Sequence, residues 1–258
     1  MTPQFVDTHC HFDFPPFVGN ETQSLQKARE AGVEKIIAVG VTADRFAGVM
    51  ALAERFDPVY AALGVHPMAI GDFREEHLAQ LEAWLRERPA RLVAIGEIGL
   101  DLFIENPQFG RQEALLDAQL RLARQYDLPV ILHSRRTHDK LAMHLRRIDL
   151  PRRGVVHGFA GSEQQAQAFI KAGYFMGVGG TMTYERASKT RRTLSRLPLS
   201  SLLLETDSPD MPVQGFQGEP NRPERIKNIW QSLCDIREES PREIAETLRD
   251  NSRRLFHI

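Results

Sequence analysis

The chain has 258 residues, 42% of them hydrophobic, with 33 Lys and Arg against 34 Asp and Glu. That length can bury a large core, and the near-zero net charge excludes a whole-molecule basic field for holding polyanions, so any nucleic-acid contact must come from a local patch. Only Cys10 and Cys234 are present, which excludes a disulfide framework. No charged leader with an apolar core opens the chain, and its apolar runs are far too short for a membrane span. The expectation is a cytoplasmic, reduced protein with no membrane contact and no obligate protein partner.

Taken in chain order, eight apolar or β-branched runs are predicted strands. They are QFVDTH (4–9), KIIAVGV (35–41), VYAALGVH (59–66), RLVAIGEIG (91–99), PVILHS (129–134), GVVHGF (154–159), YFMGVGG (174–180) and SLLLETD (201–207). The stretches between them carry Leu and Ala at helical spacings, as in 21–32 and 110–128, and Gly32, Pro129 and Gly173 mark where helices end. Two closing helices are predicted within 223–238 and 240–256.

Several runs are apolar almost without interruption, which suits parallel strands buried on both faces. Eight such βα units in about 250 residues predict an α/β protein with a single (β/α)8 TIM-type barrel and additional C-terminal helices. An open doubly wound sheet would carry a glycine-rich turn after the first strand, where this chain has THCHFDFPPFVG (8–19). No linker, low-complexity tract or repeat divides residues 1–258, so one domain is expected.

In a parallel barrel the catalytic groups come from the carboxyl ends of several strands. His9 and His11 end the first run, His66 the third, His133 the fifth and His157 the sixth; Glu97 lies in the fourth and Asp207 ends the eighth. Alternation sends His9 and His11 to one face and Cys10 to the other. Singly, each is more often a satisfied core histidine or a helix cap. The coincidence is harder to dismiss, because four histidines and two carboxylates, besides His66, share one end, while His77, His138 and His144 fall in helical stretches as surface residues. Imidazole and carboxylate donors suit zinc, manganese, iron or nickel, and magnesium is compatible. Six candidate ligands exceed the needs of one tetrahedral ion, whereas two ions about 3.5 Å apart sharing a carboxylate would use them all. Two divalent ions (Zn, Mn or Mg) are therefore expected.

These motifs resemble the TatD family of metal-dependent hydrolases, a branch of the amidohydrolase-like barrels. The resemblance runs the whole length through DTHCH, GVHP, GEIGLD, PVILHSR, HGFAGS, LLLETDSP, NRPERI and NSRRLF, in family order. It implies a TIM-type barrel, one or two divalent ions and hydrolysis of phosphodiesters, in several members as a deoxyribonuclease. By resemblance, His9 and His11 hold the first metal, Glu97 bridges, His133 and His157 hold the second, and Asp207 binds the first metal and handles the proton of the attacking water. The chain departs from the family at Leu102, where an aromatic residue is usual, and at Arg136 and Thr137, where an acidic residue and alanine are usual.

The expected chemistry is attack of metal-activated water on phosphorus, with His66 and Arg135 binding developing negative charge and Asp101 orienting a ligand histidine. DNA or another phosphodiester, single-stranded or at ends, is the expected substrate. Among the basic clusters, the segment 183–196 is the expected phosphate-contacting patch, through Arg191 and Arg192. The competing reading is an amide or ester hydrolase using the same ions; many amidohydrolase barrels bridge their metals with a modified lysine, and the fourth run has none. A non-catalytic metal-binding protein would have no need of Asp207 as a proton acceptor.

Overall fold

Parallel strands and helices alternate along residues 2–258, the residues described by the computed structural model. The order is β1 (Phe5–Cys10), α1 (Glu21–Glu30), β2 (Val33–Val39), α2 (Phe46–Arg55), β3 (Val59–Leu63), α3 (Glu75–Glu87), β4 (Leu92–Asp101), α4 (Phe109–Gln125) and β5 (Val130–Arg135). It continues with α5 (His138–Arg147), β6 (Gly154–Val156), α6 (Glu163–Lys171), β7 (Phe175–Val178), α7 (Ser188–Arg196), β8 (Leu202–Leu204), α8 (Ile226–Cys234) and α9 (Pro241–Phe256). The eight strands pair in sequence order, each parallel to the next, as a (β/α)8 barrel requires. None of the helices in the described residues is long and apolar enough to cross a membrane.

The seam between the first and last strands closes at the carboxyl end. Thr8 Oγ1 donates to the Leu204 carbonyl (2.8 Å), Cys10 bridges in parallel to Ser208, the Asp207 N–H donates to the His9 carbonyl (2.8 Å), and the His11 N–H donates to the Ser208 carbonyl (2.7 Å). Because β8 itself has only three ladder residues, much of this closure is made by the segment beyond it.

Alternation along the strands produces two cores. Ile37, Val39, Ala62, Val93, Ile131, Val155 and Leu203 fill the barrel, and Leu255 and Phe256 at the end of α9 join them. Ile36 and Ala38, on the other face of β2, belong to a larger cluster shared with the helices, including Val49 and Met50 of α2. Helix starts follow local chemistry: Ser162 Oγ accepts the Gln165 N–H (3.1 Å) while Gln165 Oε1 accepts the Ser162 N–H (3.0 Å), and Ser240 Oγ accepts the Glu243 N–H (3.1 Å) just before Pro241 opens α9.

Two details differ from the sequence-based expectation. β4 and β5 run on to Asp101 and Arg135, which pair in register. The helical histidines are also not simply surface residues. His144 is 2% exposed, with Nδ1 2.6 Å from Asp117 Oδ1 and Nε2 3.0 Å from Glu113 Oε1, and so ties α5 to α4. His138 packs edge-on against Phe159 with ring centroids 5.3 Å apart, and His77 is partly buried beside Phe73.

Two fully buried glutamines on α4 act as surrogate strand partners. Gln119 Oε1 accepts the Val65 N–H (2.7 Å) and its Nε2 donates to the Val65 carbonyl (3.1 Å). Gln112 does the same for Asp101, at 2.8 and 2.9 Å, and also donates to the Pro107 carbonyl (2.7 Å). These bonds fix the chain entering His66 and the end of β4 by pairing the buried backbone groups of Val65 and Asp101. Replacing Gln112 with Leu strands those buried groups and is expected to cost roughly 2–5 kcal/mol of stability. Urea denaturation measures this; an unchanged midpoint would show that the Gln112 bonds carry no weight.

Candidate metal centre

Glu97 is 2% exposed and stands where β4 departs from regular pairing. Against β5, the register runs from Ile95 opposite Val130 to Ile98 opposite Leu132, so β4 holds one extra residue there. β1 carries a similar extra residue against β2, between Asp7 and Cys10, around His9. Such bulges bend a strand and re-aim its side chains, and both sit where a polar side chain must turn into an apolar barrel.

The carboxylate of Glu97 divides its two oxygens between two groups of imidazoles. Oε2 lies 3.1 Å from His9 Nε2 and 3.5 Å from His11 Nε2, and Asp207 Oδ1 lies 3.3 and 3.2 Å from the same two nitrogens. Oε1 lies 2.9 Å from His157 Nε2, 3.0 Å from His133 Nδ1 and 3.2 Å from His66 Nε2. Neighbouring donors on one ion with bonds of about 2.0–2.2 Å lie roughly 2.9–3.5 Å apart. Both groups therefore have the spacing of ligand sets that could hold a divalent ion, with Glu97 common to the two.

The hydrogen bonds around the rings sort the histidines. His133 Nε2 lies 2.8 Å from Asp101 Oδ2 and His157 Nδ1 lies 3.3 Å from Glu205 Oε1, so each ring can donate outward and keep its inward nitrogen as a lone pair. His66 is the reverse: its Nδ1 accepts the Met68 N–H (3.0 Å), which leaves the proton on Nε2 and makes the ring a donor to Glu97. Burial lowers the His66 pKa, with the Glu97 charge offsetting part of the effect, which favours this neutral form. The Nδ1 atoms of His9 and His11 are buried without a partner among the described residues.

The buried carboxylates raise the pKa values of the imidazoles they face. Burial disfavours the His11 imidazolium, but the hydrogen bond and charge of Asp207, with Glu97, push its pKa up to about 9. Burial likewise opposes a charged His157, and Glu97 and Glu205 hold its pKa well above the usual histidine value. Against the same burial, the imidazoles of His66, His157 and His9 hold Glu97 well below the carboxylate range, and the hydrogen bond from His11 lowers Asp207. Exchangeable positive charge between buried carboxylates is what a cation site supplies, so the donor chemistry fits divalent metal.

Residues 6–257 match the family of TatD related DNases. The chain belongs to the TatD family. It is 60% identical to an uncharacterized metal-dependent hydrolase, YjjV, from Escherichia coli, over the full length of both chains, and the crystal structure of YjjV superposes with a TM-score of 0.98 over all of both. It is 43% identical to an uncharacterized metal-dependent hydrolase of Haemophilus influenzae, covering 98% of this chain and 99% of that one. Identity to a 3'-5' ssDNA/RNA exonuclease TatD of a Rahnella species is 33%, over 94% of each chain. The protein is a metal-dependent hydrolase of the TatD family.

Around this TatD centre the structure brings His9, His11, His66, Glu97, His133, His157 and Asp207 together and leaves Arg135 outside. Arg135 is exposed, with its guanidinium 3.6 Å above the Phe103 ring. The family's aromatic position is Leu102 here, and the next residue, Phe103, presents an exposed ring instead. Thr137 is buried and donates to the Leu100 carbonyl (3.0 Å), so only Arg136 of that pair faces solvent. In the segment expected to contact phosphate, Arg191 donates to the Met182 carbonyl (2.7 Å), and Thr190 and Leu194 are the residues of 183–196 that line the cleft.

Sequence reasoning missed Glu205, Thr206 and Asn221. Glu205 lies two residues before Asp207, and period-two alternation alone places it on the same face. Asp7 Oδ1 accepts the Thr206 N–H (2.9 Å) and Asp7 Oδ2 accepts Thr206 Oγ1–H (2.5 Å); burial pushes the Asp7 pKa up to about 7 in spite of these bonds. Asn221 Nδ2 donates to the Thr206 carbonyl (2.8 Å) and the Met211 carbonyl (3.1 Å). Together they hold Asp207 at a left-handed φ of +57°, a conformation that costs a non-glycine residue about 1 kcal/mol or more.

With the His11 and His157 pKa values raised, a divalent ion competes with protons for these donors. Titrating the metal-free protein with zinc at pH 7.5, in buffers of different ionisation enthalpy, is expected to show release of at least about one proton per protein. The release should shrink as pH rises through 9, the His11 value. Release that does not change with pH would rule out protonated donors.

Proposed function

We propose that the protein is a two-metal phosphodiesterase acting on nucleic acid, with single strands or ends as substrate. The observation that carries this reading is the division of the Glu97 oxygens between two donor sets within one carboxylate's reach. On this reading His9, His11 and Asp207 hold one ion, His133 and His157 hold the other, and Glu97 bridges. Bound there, the pair of ions would supply Lewis acidity toward a phosphate oxygen and a lowered pKa for the attacking water.

The protein's own groups supply the rest. The Asp207 carboxylate, whose side chain is 17% exposed, accepts the proton of the attacking water. His66 donates through Nε2 to Glu97 Oε1 and steadies the carboxylate on which both donor sets depend. Two grooves of about 440 and 560 Å³ meet at the centre and share His133, His157, Asp207 and Asp210. One is walled by Phe14, Val41 and Met68, the other by Phe159, Met182 and Leu194 with Arg135 at its rim. A chain substrate can lie across the centre with one side of the scissile phosphate in each groove, and Arg135 is placed to meet a flanking phosphate.

A relative 33% identical along nearly the whole chain bears the name of a 3'-5' ssDNA/RNA exonuclease, which supports phosphorus over carbonyl as the atom attacked. A glutamate rather than a lysine at the bridging position of β4 supports the same choice.

The test is a panel: bis-p-nitrophenyl phosphate, end-labelled single-stranded DNA and RNA, and p-nitroanilides, each with zinc, manganese or magnesium. Chelator-sensitive cleavage of the phosphodiesters is expected, with mononucleotides released from one end. Turnover of the amides with none of the phosphodiesters would overturn the reading. Glu97→Ala is expected to lose bound metal and to lower activity by more than about 100-fold while leaving the far-UV circular dichroism intact.

A further inference from the structure

Glu205 is fully buried at the exit of β8, and the uses already described account for only one of its oxygens. Oε1 faces His157 Nδ1 and accepts the Gly158 N–H, while Oε2 is buried with no partner among the described residues. His9 Nδ1 is a second buried atom with no partner among the described residues. One donor atom each from His9, His157 and Glu205 lie within 4.8 Å of one another.

The rings of His9 and His157 explain why these two orphans belong together. They stack at 3.9 Å between centroids and 13° between planes. Their Nε2 edges both meet Glu97, His9 at Oε2 and His157 at Oε1. A stacked pair that shares one carboxylate along its Nε2 edge offers its two Nδ1–H groups on the far edge. Glu205 meets His157 on that edge through Oε1, and one of its oxygens lies within 4.8 Å of a ring nitrogen of His9.

The space for this carboxylate is made by a glycine. A Cβ on Gly177 of β7 would lie 2.5 Å from Glu205 Oε2 and 2.8 Å from its Cδ, so no side chain can stand there with the carboxylate in place. The acceptors closest in sequence to His9 are already engaged: Asp7 Oδ1 takes the N–H groups of His9 and Thr206, and Asp7 Oδ2 takes the Thr206 hydroxyl.

We propose that Glu205, seated in the notch above Gly177, is a positioning residue that holds the Nδ1–H tautomer of His9 and His157 together, one histidine from each donor set. An imidazole can offer its Nε2 lone pair only while its proton stays on Nδ1, and an outward acceptor enforces this. Asp101 serves His133 alone, whereas Glu205 couples the two halves of the centre. The inference rests on the ligand assignment proposed above and is independent of the bond hydrolysed, because its readouts are imidazole tautomers and zinc binding.

Glu205→Gln separates the two contacts. The amide oxygen can still accept from His157 and Gly158, but its NH2 group then faces His9 Nδ1 as a donor and drives that ring to the Nε2–H form. Long-range 1H–15N correlation spectra of the histidine rings read this directly in the zinc-loaded protein. The expected result is that His9 switches tautomer while His157 does not, and that one of the two zinc-binding steps weakens about 10–100-fold. Gly177→Ala, which keeps the carboxylate but displaces it, is expected to disturb both rings and both steps, and it carries the test should Glu205→Gln not fold. In the Asp101→Asn protein only His133 should respond. A Glu205→Gln protein in which His9 keeps its tautomer, or a Gly177→Ala protein in which only His157 responds, would overturn the proposal. Intact zinc binding by Glu97→Ala would instead overturn the ligand assignment beneath it.

Discussion

The carboxylate of Glu97 is the contact on which the carboxyl end of the barrel depends. Buried to 2% exposure, it would be costly by several kcal/mol if it stood without positive charge or hydrogen bonds. Five imidazoles answer it, delivered by the segments at and beyond β1, β3, β5 and β6. Oε2 is met from the first of those segments and Oε1 from the other three, so the charge balance of one side chain ties half the strands to a common point. The extra residue in β4 makes this possible by turning Glu97 into a space that a regular strand would leave to an apolar neighbour.

Closure of the barrel and construction of the site are one structural event. β8 contributes only three ladder residues, and the seam with β1 is completed above them by Asp207, Ser208 and the Asp7 to Thr206 bonds. The segments that carry His9, His11 and Asp207 are therefore the ones that join the first strand to the last. Strain at Asp207 is held by this seam and by Asn221, which reaches in from the loop before α8. A weakened seam would loosen the donors and the barrel together.

What was legible in the sequence follows from which contacts a one-dimensional pattern can encode. Strand ends and alternation sufficed for the seven clustered side chains, because a closed parallel barrel brings every strand's carboxyl end to one mouth. Glu205 obeys the same alternation but sits inside the run SLLLETD, where its neighbours read as core. Gln112 and Gln119 lie on the buried face of α4 at positions that helical periodicity assigns to apolar contact, and their partners are strand-end backbone groups that only the packed barrel exposes. His144 was misplaced for the same reason, since its two acidic partners lie on the preceding helix at a distance fixed by how α4 and α5 dock. Asn221 and Arg191 bond to carbonyls of other segments, which no spacing rule anticipates.

The departures from the family pattern divide by where the fold puts them. Thr137 is consumed internally: its hydroxyl bonds the Leu100 carbonyl and Ser134 Oγ, so it braces the end of β4 and meets nothing in the cleft. Leu102, Phe103 and Arg136 stay exposed, and Phe103 lies under both Arg135 at 3.6 Å and Arg136 at 4.7 Å. A ring beneath two guanidinium groups fixes flat, cationic surfaces beside the larger groove with little freedom left to lose on binding. Strand-borne donors at the centre are held from several sides at once, while the exposed side chains of this corner meet one another by stacking. A substitution at such a corner can be accommodated without disturbing the donors around Glu97, whereas one at Glu97, Asp101 or Glu205 removes a bond to a histidine of the centre.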